Sequence, residues 1–271
     1  MTDPIPDEHD RGLSHDLPTL LSRRALMLFG GAGLAAALAG CGIGGGDNGD
    51  TSSPSATSAG TAPAGAETPE ETAGPFPGDG SNGVNVLTES GIVRSDITRS
   101  FGSASGVAEG VPLTIRLRVL DVGNGSGPLR GAAVYLWHCD ADGRYSLYSD
   151  GAAEENYLRG VQETGGDGWV TFTSVYPGAY AGRWPHIHFE VYPSLEAATT
   201  ASDKLRTSQL ALPEAPCELV YATDGYGDSM ANLARTSLSS DNVFSDGYSL
   251  QLATVTGSVT DGFTASLNVP V

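Results

Sequence analysis

Apolar side chains recur at every second position through much of this chain, and this period restricts the fold more than any other feature. Leu113, Ile115, Leu117 and Val119 alternate with polar residues, which is the pattern of a β-strand with one buried face. Further β-like runs occupy residues 133–139, 169–175, 185–192, 219–221, 250–256 and 263–269. One convincing helical stretch lies near residues 229–236. The sequence therefore predicts an all-β fold, an antiparallel β-sandwich with long loops and little helix.

Residues 1–40 predict an export signal rather than part of this fold. Arg23 and Arg24 precede an uncharged run of small and apolar residues, as in a twin-arginine signal. The run closes on LAGC at residues 38–41, which is typical of bacterial lipoproteins and predicts lipidation of Cys41. The run is short and rich in glycine, so a membrane-spanning anchor is the weaker interpretation. We expect twin-arginine export and a lipoprotein on the outer face of the cell membrane, or an extracellular protein, with membrane contact only through Cys41.

Composition divides the remaining chain into a tether and one domain. Residues 41–66 are mostly Gly, Ser, Thr, Ala and Pro, and such a segment cannot bury a core. Residues 67–271 have a comfortable length for a single domain. We expect a flexible tether followed by one folded domain.

The balance of charge argues against nucleic acid as a partner. The chain has 14 Lys and Arg residues against 32 Asp and Glu, a formal net charge of −18. A surface of this sign repels phosphate backbones. The oligomeric state is left open by the sequence.

Cys139 and Cys217 are the two cysteines that remain beyond Cys41. In an exported chain two such residues most simply pair with each other. We therefore expect a Cys139–Cys217 disulfide, with two buried free thiols as the alternative.

His186 and His188 lie one residue apart in a predicted strand, and so project from the same face of it. Two imidazoles a few ångström apart can share a metal ion, although both could instead be polar strand residues that face solvent. Tyr145 and Tyr180 each lie beside a predicted turn, in DGRY and PGAY. Phenolates together with imidazoles suit Fe(III) better than Zn²⁺ or Cu(I). Aromatic residues beside turns also commonly just cap a core.

The order of these motifs resembles the intradiol ring-cleavage dioxygenases, the non-haem iron family of catechol and protocatechuate dioxygenases. The resemblance runs over almost the whole predicted domain. The matching segments are TPEETAGPF at 68–76, VYLWHCDADGRYS at 134–146, LRG at 158–160, TGGDG at 164–168, PGAY at 177–180, RWPHIHF at 183–189, TSQL at 207–210 and DG at 246–247.

The resemblance implies a β-sandwich of the intradiol dioxygenase type and a catalytic domain at residues 67–271. It implies non-haem Fe(III) as the cofactor, with Arg183 and Gln209 stabilising negative charge on the bound substrate. The implied reaction opens a catechol-type ring with O₂ between the two hydroxyl-bearing carbons and gives a muconate-type diacid. The implied iron ligands are Tyr145, Tyr180, His186 and His188.

Two departures from the family pattern lie next to the implied ligands. Trp184-Pro185 stands where the family often has Pro-Ala, and Ala179 stands where it usually has proline. Tyr148, three residues beyond Tyr145, competes for the position of the first tyrosine ligand. The identity of the catechol stays open.

Other functions fit the sequence less well. A non-catalytic lipoprotein that binds an envelope component through its β-sandwich is the main alternative, but it has no need of four ligands and Arg183. A copper or zinc superoxide dismutase-like sandwich needs more histidines than His138 adds. The cupin pattern fails because Glu190 follows His188 too closely.

Overall fold

A computed structural model describes residues 65–271. The predicted signal segment, the lipidation site at Cys41 and nearly all of the predicted tether lie outside the described residues, so their boundaries stay predictions. Within residues 65–271, no helix has the length and apolar character needed to cross a bilayer.

The described chain folds into two sheets with little helix, which confirms the predicted all-β class. The five-stranded sheet contains β1 (Pro112–Asp121), β2 (Gly127–Pro128), β5 (Trp169–Val175), β8 (Thr254–Ser258) and β9 (Gly262–Pro270). The four-stranded sheet contains β3 (Ala133–Trp137), β4 (Arg159–Glu163), β6 (His186–Tyr192) and β7 (Arg206–Ala211). The helices are α1 (Leu195–Thr199), α2 (Glu214–Tyr221) and α3 (Ser229–Leu233), with 3₁₀ turns at Val122–Asn124 and Phe244–Asp246.

Strand pairing is antiparallel except in one place. The four-stranded sheet has the order β4-β3-β6-β7. The five-stranded sheet has the order β2-β1-β9-β8, with β5 also paired to β1. β1 and β9 run parallel to each other. The sandwich is therefore predominantly antiparallel, as the short strands and turns predict.

The two faces of the four-stranded sheet pack against different apolar clusters. Val134 and Leu136 of β3 face the core that this sheet shares with the five-stranded sheet. Tyr135 and Trp137 point the other way, into a second cluster. Both faces are covered, so β3 and β6 are buried at every position. Side chains on β6 therefore do not face solvent, which rules out the solvent-facing interpretation of the histidine pair.

Residues 219–221, a predicted strand, are instead the end of α2. The prediction was wrong because three apolar residues do not distinguish a strand from a helix. Cys217, Val220 and Tyr221 are the buried positions of α2, and their spacing of three and four residues is helical. The predicted helix near residues 229–236 is present as the shorter α3, and the strand predicted from residue 250 begins at Thr254.

The predicted disulfide is not formed, since Cys139 and Cys217 are both free and buried. Cys139 belongs to the second cluster, whereas Cys217 lies in the core between the sheets. The Cys139 thiol donates to the carbonyl of Gly178 at 3.4 Å, and the Cys217 sulfur lies 3.3 Å from the hydroxyl of Tyr176. The two thiols belong to different apolar clusters, and each sulfur has its own partner.

Candidate metal centre

One row of side chains crosses the four-stranded sheet at its outer face. The register pairs Trp137 of β3 with Arg159 of β4 and with His188 of β6, and pairs His188 with Gln209 of β7. Residues directly opposite each other on paired strands project from the same face. Arg159, Trp137, His188 and Gln209 therefore form a continuous row, and we call it the site row.

Four donor atoms from three segments meet above the site row. The hydroxyl oxygens of Tyr145 and Tyr180 lie 3.3 Å apart. The Tyr180 hydroxyl lies 3.1 Å from Nε2 of His186, which in turn lies 3.1 Å from Nε2 of His188. Four atoms held tetrahedrally at about 2.0 to 2.1 Å from one ion lie about 3.3 to 3.4 Å from each other. The three separations observed, 3.1 to 3.3 Å, are close to this spacing.

A tight turn directs Tyr145 into the cluster. One carboxylate oxygen of Asp140 accepts hydrogen bonds from the backbone N–H groups of Asp142 and Arg144, at 3.0 and 2.9 Å. The backbone N–H of Tyr145 then donates to the Ser149 hydroxyl at 2.9 Å. Asp suits such a turn because its side chain binds backbone N–H groups, and Gly suits it because it adopts a positive φ, which is 81° at Gly143. These hydrogen bonds fix the backbone direction in which Tyr145 leaves the turn.

A second turn, at residues 177–180, packs on the first and carries Tyr180. The backbone N–H of Gly178 donates to the Asp140 carbonyl at 2.9 Å, and a side chain at Gly178 would have its Cβ only 2.3 Å from the carbonyl oxygen of Ala141. The backbone N–H of Ala179 donates to Ser229 Oγ of α3 at 3.0 Å. A proline has no N–H for this bond, so the departure at Ala179 secures the turn to α3.

Hydrogen bonding orients one of the two imidazoles. Nδ1 of His186 lies 2.6 Å from the carbonyl of Trp184. A carbonyl only accepts, so Nδ1 carries the proton and Nε2 presents its lone pair to the cluster. Trp137 stacks on the ring of His188, with centroids 4.9 Å apart and planes 6° apart. Nδ1 of His188 is buried without a hydrogen-bond partner, so stacking rather than hydrogen bonding holds this ring.

Burial sets the protonation states of the four donors. It lowers the pKa of His186 and of His188 well below the ordinary value, so both rings are neutral at pH 7. Burial also raises the pKa of Tyr145 well above its usual value and that of Tyr180 to about 12. Both phenols therefore keep their protons in the metal-free protein. A highly charged cation is needed to displace those protons, which fits Fe(III) better than a divalent ion.

The donor set differs from the common divalent metal sites. Within the described part of the chain, no group of three or more His, Cys, Asp or Glu side chains stands at metal-binding spacing. His138 lies apart from the cluster and has both ring nitrogens within 2.7 Å of other groups, the carbonyl of Cys139 and the hydroxyl of Ser174. A superoxide dismutase-like histidine site therefore gains no support.

Arg183 lies beside the cluster and is held at two of its three nitrogens. Nε donates to a carboxylate oxygen of Asp241 at 2.9 Å, and Nη2 donates to Oε1 of Gln209 at 2.6 Å. Nη1 lies 3.5 Å from Nε2 of His186. Burial opposes the charge of Arg183, but the paired carboxylate of Asp241 favours it, and the net effect raises its pKa. Arg183 thus presents a fixed positive charge to the cluster.

Asp241 organises the region around Arg183, although the sequence alone does not indicate this role. Its side chain is fully buried and also accepts a hydrogen bond from the backbone N–H of Trp184 at 2.7 Å. No local pattern distinguishes Asp241 from other loop aspartates, because the partners that tie it to the site, Arg183 and Trp184, lie more than fifty residues earlier in the chain. The departure at Trp184 is accommodated, since its indole N–H donates to the Leu212 carbonyl at 2.8 Å.

Residues 71–78, which we call the strap, cross the outer face of the sheet beside the cluster. Nε2 of Gln209 donates to the carbonyl of Thr72 at 2.9 Å. Gly74 has a φ of +71°, and a Cβ there would lie 3.3 Å from Cε1 of His188. A side chain at Gly74 would therefore press on the imidazole.

Tyr148 belongs to the strap contacts rather than to the cluster. Its hydroxyl accepts a hydrogen bond from the backbone N–H of Gly78 at 2.8 Å and donates to the Asn82 side chain at 2.9 Å. The structure therefore brings Tyr145, and not its competitor Tyr148, to the other three predicted ligands.

Comparison with known proteins places part of the chain in a family and identifies similar folds. Residues 89–201 match the model of a family described as Dioxygenase, a segment that includes the four predicted ligands and Arg183 but ends before Gln209 and Asp241. No curated protein matches the chain. The fold is similar to that of an intradiol ring-cleavage dioxygenase from Tetranychus urticae, with a TM-score of 0.58 and 24% identity over 76% of this chain and 94% of that chain.

A second solved structure is the dioxygenase domain of a dioxygenase and carbohydrate-binding protein fusion from Streptomyces sp. SirexAA-E. It gives a TM-score of 0.48 and 22% identity over 76% of this chain and 98% of that chain. The comparisons thus show a match to the Dioxygenase family model over residues 89–201 and, over most of the described chain, a shared fold.

Proposed function

We propose that this protein is an intradiol dioxygenase with non-haem Fe(III), which cleaves catechol-type aromatics with O₂ between the hydroxyl-bearing carbons. Tyr145, Tyr180, His186 and His188 would hold the iron. The observation that carries this proposal is the convergence of two phenols and two imidazoles at separations of 3.1 to 3.3 Å in a buried site. The product would be a muconate-type diacid that contains both oxygen atoms.

The metal would supply the activation of the substrate. Ferric iron held by Tyr145, Tyr180, His186 and His188 would supply the activation of a catechol-type ring toward O₂, without an external reductant. The four side chains would set its position, and their two phenolates would offset part of its charge. Because Tyr145 and Tyr180 are protonated in the metal-free protein, loading with iron releases protons and should be weaker at low pH.

Arg183 would provide electrostatic stabilisation of the reacting ring. Two of its nitrogens are committed to Asp241 and Gln209, which leaves Nη1 to face the cluster. A positive charge that is already oriented requires no reorganisation when negative charge develops on the substrate. Asp241 and Gln209 would act as positioning residues for that charge.

We also propose that the enzyme acts outside the cytoplasmic membrane, exported by the twin-arginine route and anchored through lipid on Cys41. The signal-like residues 1–40 and the LAGC sequence support this location. The twin-arginine route carries folded proteins, so the iron could be loaded before export. Labelling with radioactive palmitate should mark the wild-type chain and leave Cys41→Ala unlabelled.

A product assay tests the proposed reaction. The iron-loaded full chain is incubated with catechol, hydroxyquinol and protocatechuate, and O₂ uptake and products are followed. With ¹⁸O₂, we expect a ring-opened diacid that carries two labelled atoms. Absence of O₂ uptake with all three substrates, despite bound iron, would contradict the proposal and favour the non-catalytic binding lipoprotein.

A further inference from the structure

We propose that Arg159 is a positioning residue for the substrate site, which anchors the strap against the backbone that carries Tyr145. The proposal rests on the proposed function, because the strap matters to catalysis only if the Tyr and His cluster binds substrate. Arg159 lies at the β4 end of the site row and contacts none of the four donor atoms. Its action would pass through the strap.

Arg159 is buried, with 1% of its surface exposed, and its guanidinium is satisfied without a carboxylate. Nε donates to Oγ of Ser146 at 3.0 Å, and Nη2 donates to the Ser146 carbonyl at 2.9 Å and the Phe76 carbonyl at 3.0 Å. Nη1 donates to the Pro77 carbonyl at 2.9 Å and the Tyr135 hydroxyl at 3.0 Å. All five acceptors are neutral oxygens.

Burying the Arg159 guanidinium without a carboxylate partner would be unfavourable if the side chain only filled space. Burying an ion without a counter-charge is unfavourable, and a neutral side chain of similar volume often packs as well or better. The five hydrogen bonds offset the loss of water. Their acceptors lie in three segments that are distant in sequence, namely the strap, the turn after Tyr145 and strand β3. We infer that joining these segments is the role of the guanidinium.

The path of the strap shows what the anchor holds. Thr72 is bound to Gln209 on β7, Gly74 lies against His188 on β6, and the Phe76 and Pro77 carbonyls meet Arg159 on β4. The strap therefore runs across the strands, over the site row, and Gln209 and Arg159 are the anchors on either side of His188, in addition to a backbone hydrogen bond from Glu71 to the Thr207 carbonyl at 2.8 Å. His188 lies between the anchors, so the position of the strap over this imidazole depends on both ends.

Arg159 also fixes the strap relative to Tyr145. Ser146, which accepts two of its hydrogen bonds, is the next residue after Tyr145. The ring of Phe76 lies 5.2 Å from the ring of Tyr145 and 5.1 Å from that of Tyr148. A Cβ on Gly78 would come within 3.0 Å of Nη1 of Arg159. One guanidinium thus sets the spacing between an aromatic side chain of the strap and a predicted ligand.

The test compares Arg159→Met and Arg159→Lys with the matched control Arg94→Met. Arg94 also donates to backbone carbonyls, those of Asn156 and Arg159, and its guanidinium lies 4.7 Å from the Phe101 ring centroid. The hydrogen bonds of its guanidinium do not go to the strap. Removing it perturbs the packing behind β4 and leaves the anchor in place.

The first readout is hydrogen exchange in the metal-free protein. We expect Arg159→Met to speed exchange of the Gly78 amide by at least about tenfold, because the strap opens locally once its anchor is lost. Arg159→Lys should restore part of the protection, since an ammonium has three donors rather than five. Equal exchange in Arg159→Met and Arg94→Met would overturn the proposal.

The second readout is the kinetics of the iron-loaded protein. We expect Arg159→Met to raise KM for catechol about tenfold or more while kcat per bound iron changes less, because the loosened strap misplaces the substrate. Arg94→Met should lower the melting temperature with KM unchanged. A fall in kcat alone, with KM at the wild-type value, would contradict the role in positioning.

Two controls keep these outcomes distinct. If Arg159→Met does not fold, as judged by circular dichroism, exchange of the Gly78 amide and KM for catechol are measured in Arg159→Lys instead. If the wild-type protein binds iron but cleaves no ring, the proposed function fails, whereas the exchange experiment still decides whether Arg159 anchors the strap.

Discussion

Tyr145→Phe is expected to lower ferric iron affinity by at least about 100-fold, since residues that merely orient metal ligands contribute 10- to 100-fold. The substitution removes one of two anionic donors and leaves the rest of the buried ring in place. Ring cleavage should fall at least in proportion to the iron lost. Iron content after dialysis against a weak chelator measures the effect, and turnover is then expressed per bound iron.

Tyr148→Phe is the matched control for this substitution. It also removes a phenolic oxygen, that of Tyr148, three residues beyond Tyr145. That oxygen binds the Gly78 amide and Asn82 rather than the cluster. We expect Tyr148→Phe to keep its iron. Wild-type iron affinity in Tyr145→Phe, or loss of iron from Tyr148→Phe, would show that the ligand assignment is wrong.

Arg183→Met is expected to keep the iron and to lower kcat by about 10²- to 10³-fold, the range seen when one preorganised electrostatic donor is removed. The loss falls on kcat because the charge acts on negative charge that develops during reaction. Asp241→Asn should lower kcat less, since Arg183 remains but loses its buried counter-charge. Stopped-flow kinetics at saturating catechol, normalised to iron content, measures both.

Arg206→Met is the matched control for Arg183→Met. Arg206 lies on the same strand as Gln209, but its guanidinium pairs with Glu67 and Glu70 outside the cluster. We expect its kcat to stay within about threefold of wild type, because its ion pairs lie outside the cluster. Loss of iron from Arg183→Met would move Arg183 from a catalytic role to a structural one.

The strands could be predicted because their signal is local. In a half-buried strand, buried apolar residues alternate with exposed polar ones, as they do in β1 from Leu113 to Val119. The same rule placed His186 and His188 on one face. Residues 219–221 were too few to distinguish the two-residue period of a strand from the 3.6-residue period of a helix. The helical spacing of α2 appears only when Cys217 is included.

The rest of the site depends on contacts that sequence does not encode locally. The resemblance indicated Tyr145, Tyr180 and the two histidines by motif order, but only the β3 and β6 register shows that Trp137 stacks on His188. The roles of Asp241 and Arg159 depend on contacts with Arg183 and Phe76, which lie 58 and 83 residues earlier in the chain. The disulfide prediction was wrong because the number of cysteines does not show where each thiol lies in the fold.

The visible absorption spectrum of the purified, iron-loaded protein, recorded in air before substrate is added, tests the central claim most directly. Tyrosinate bound to ferric iron gives a broad red-brown charge-transfer band. We predict this band in the wild-type protein, a shift on addition of catechol, and its loss in Tyr145→Phe. A protein that stays colourless after loading with ferric or ferrous iron would contradict the proposed iron centre and with it the dioxygenase function.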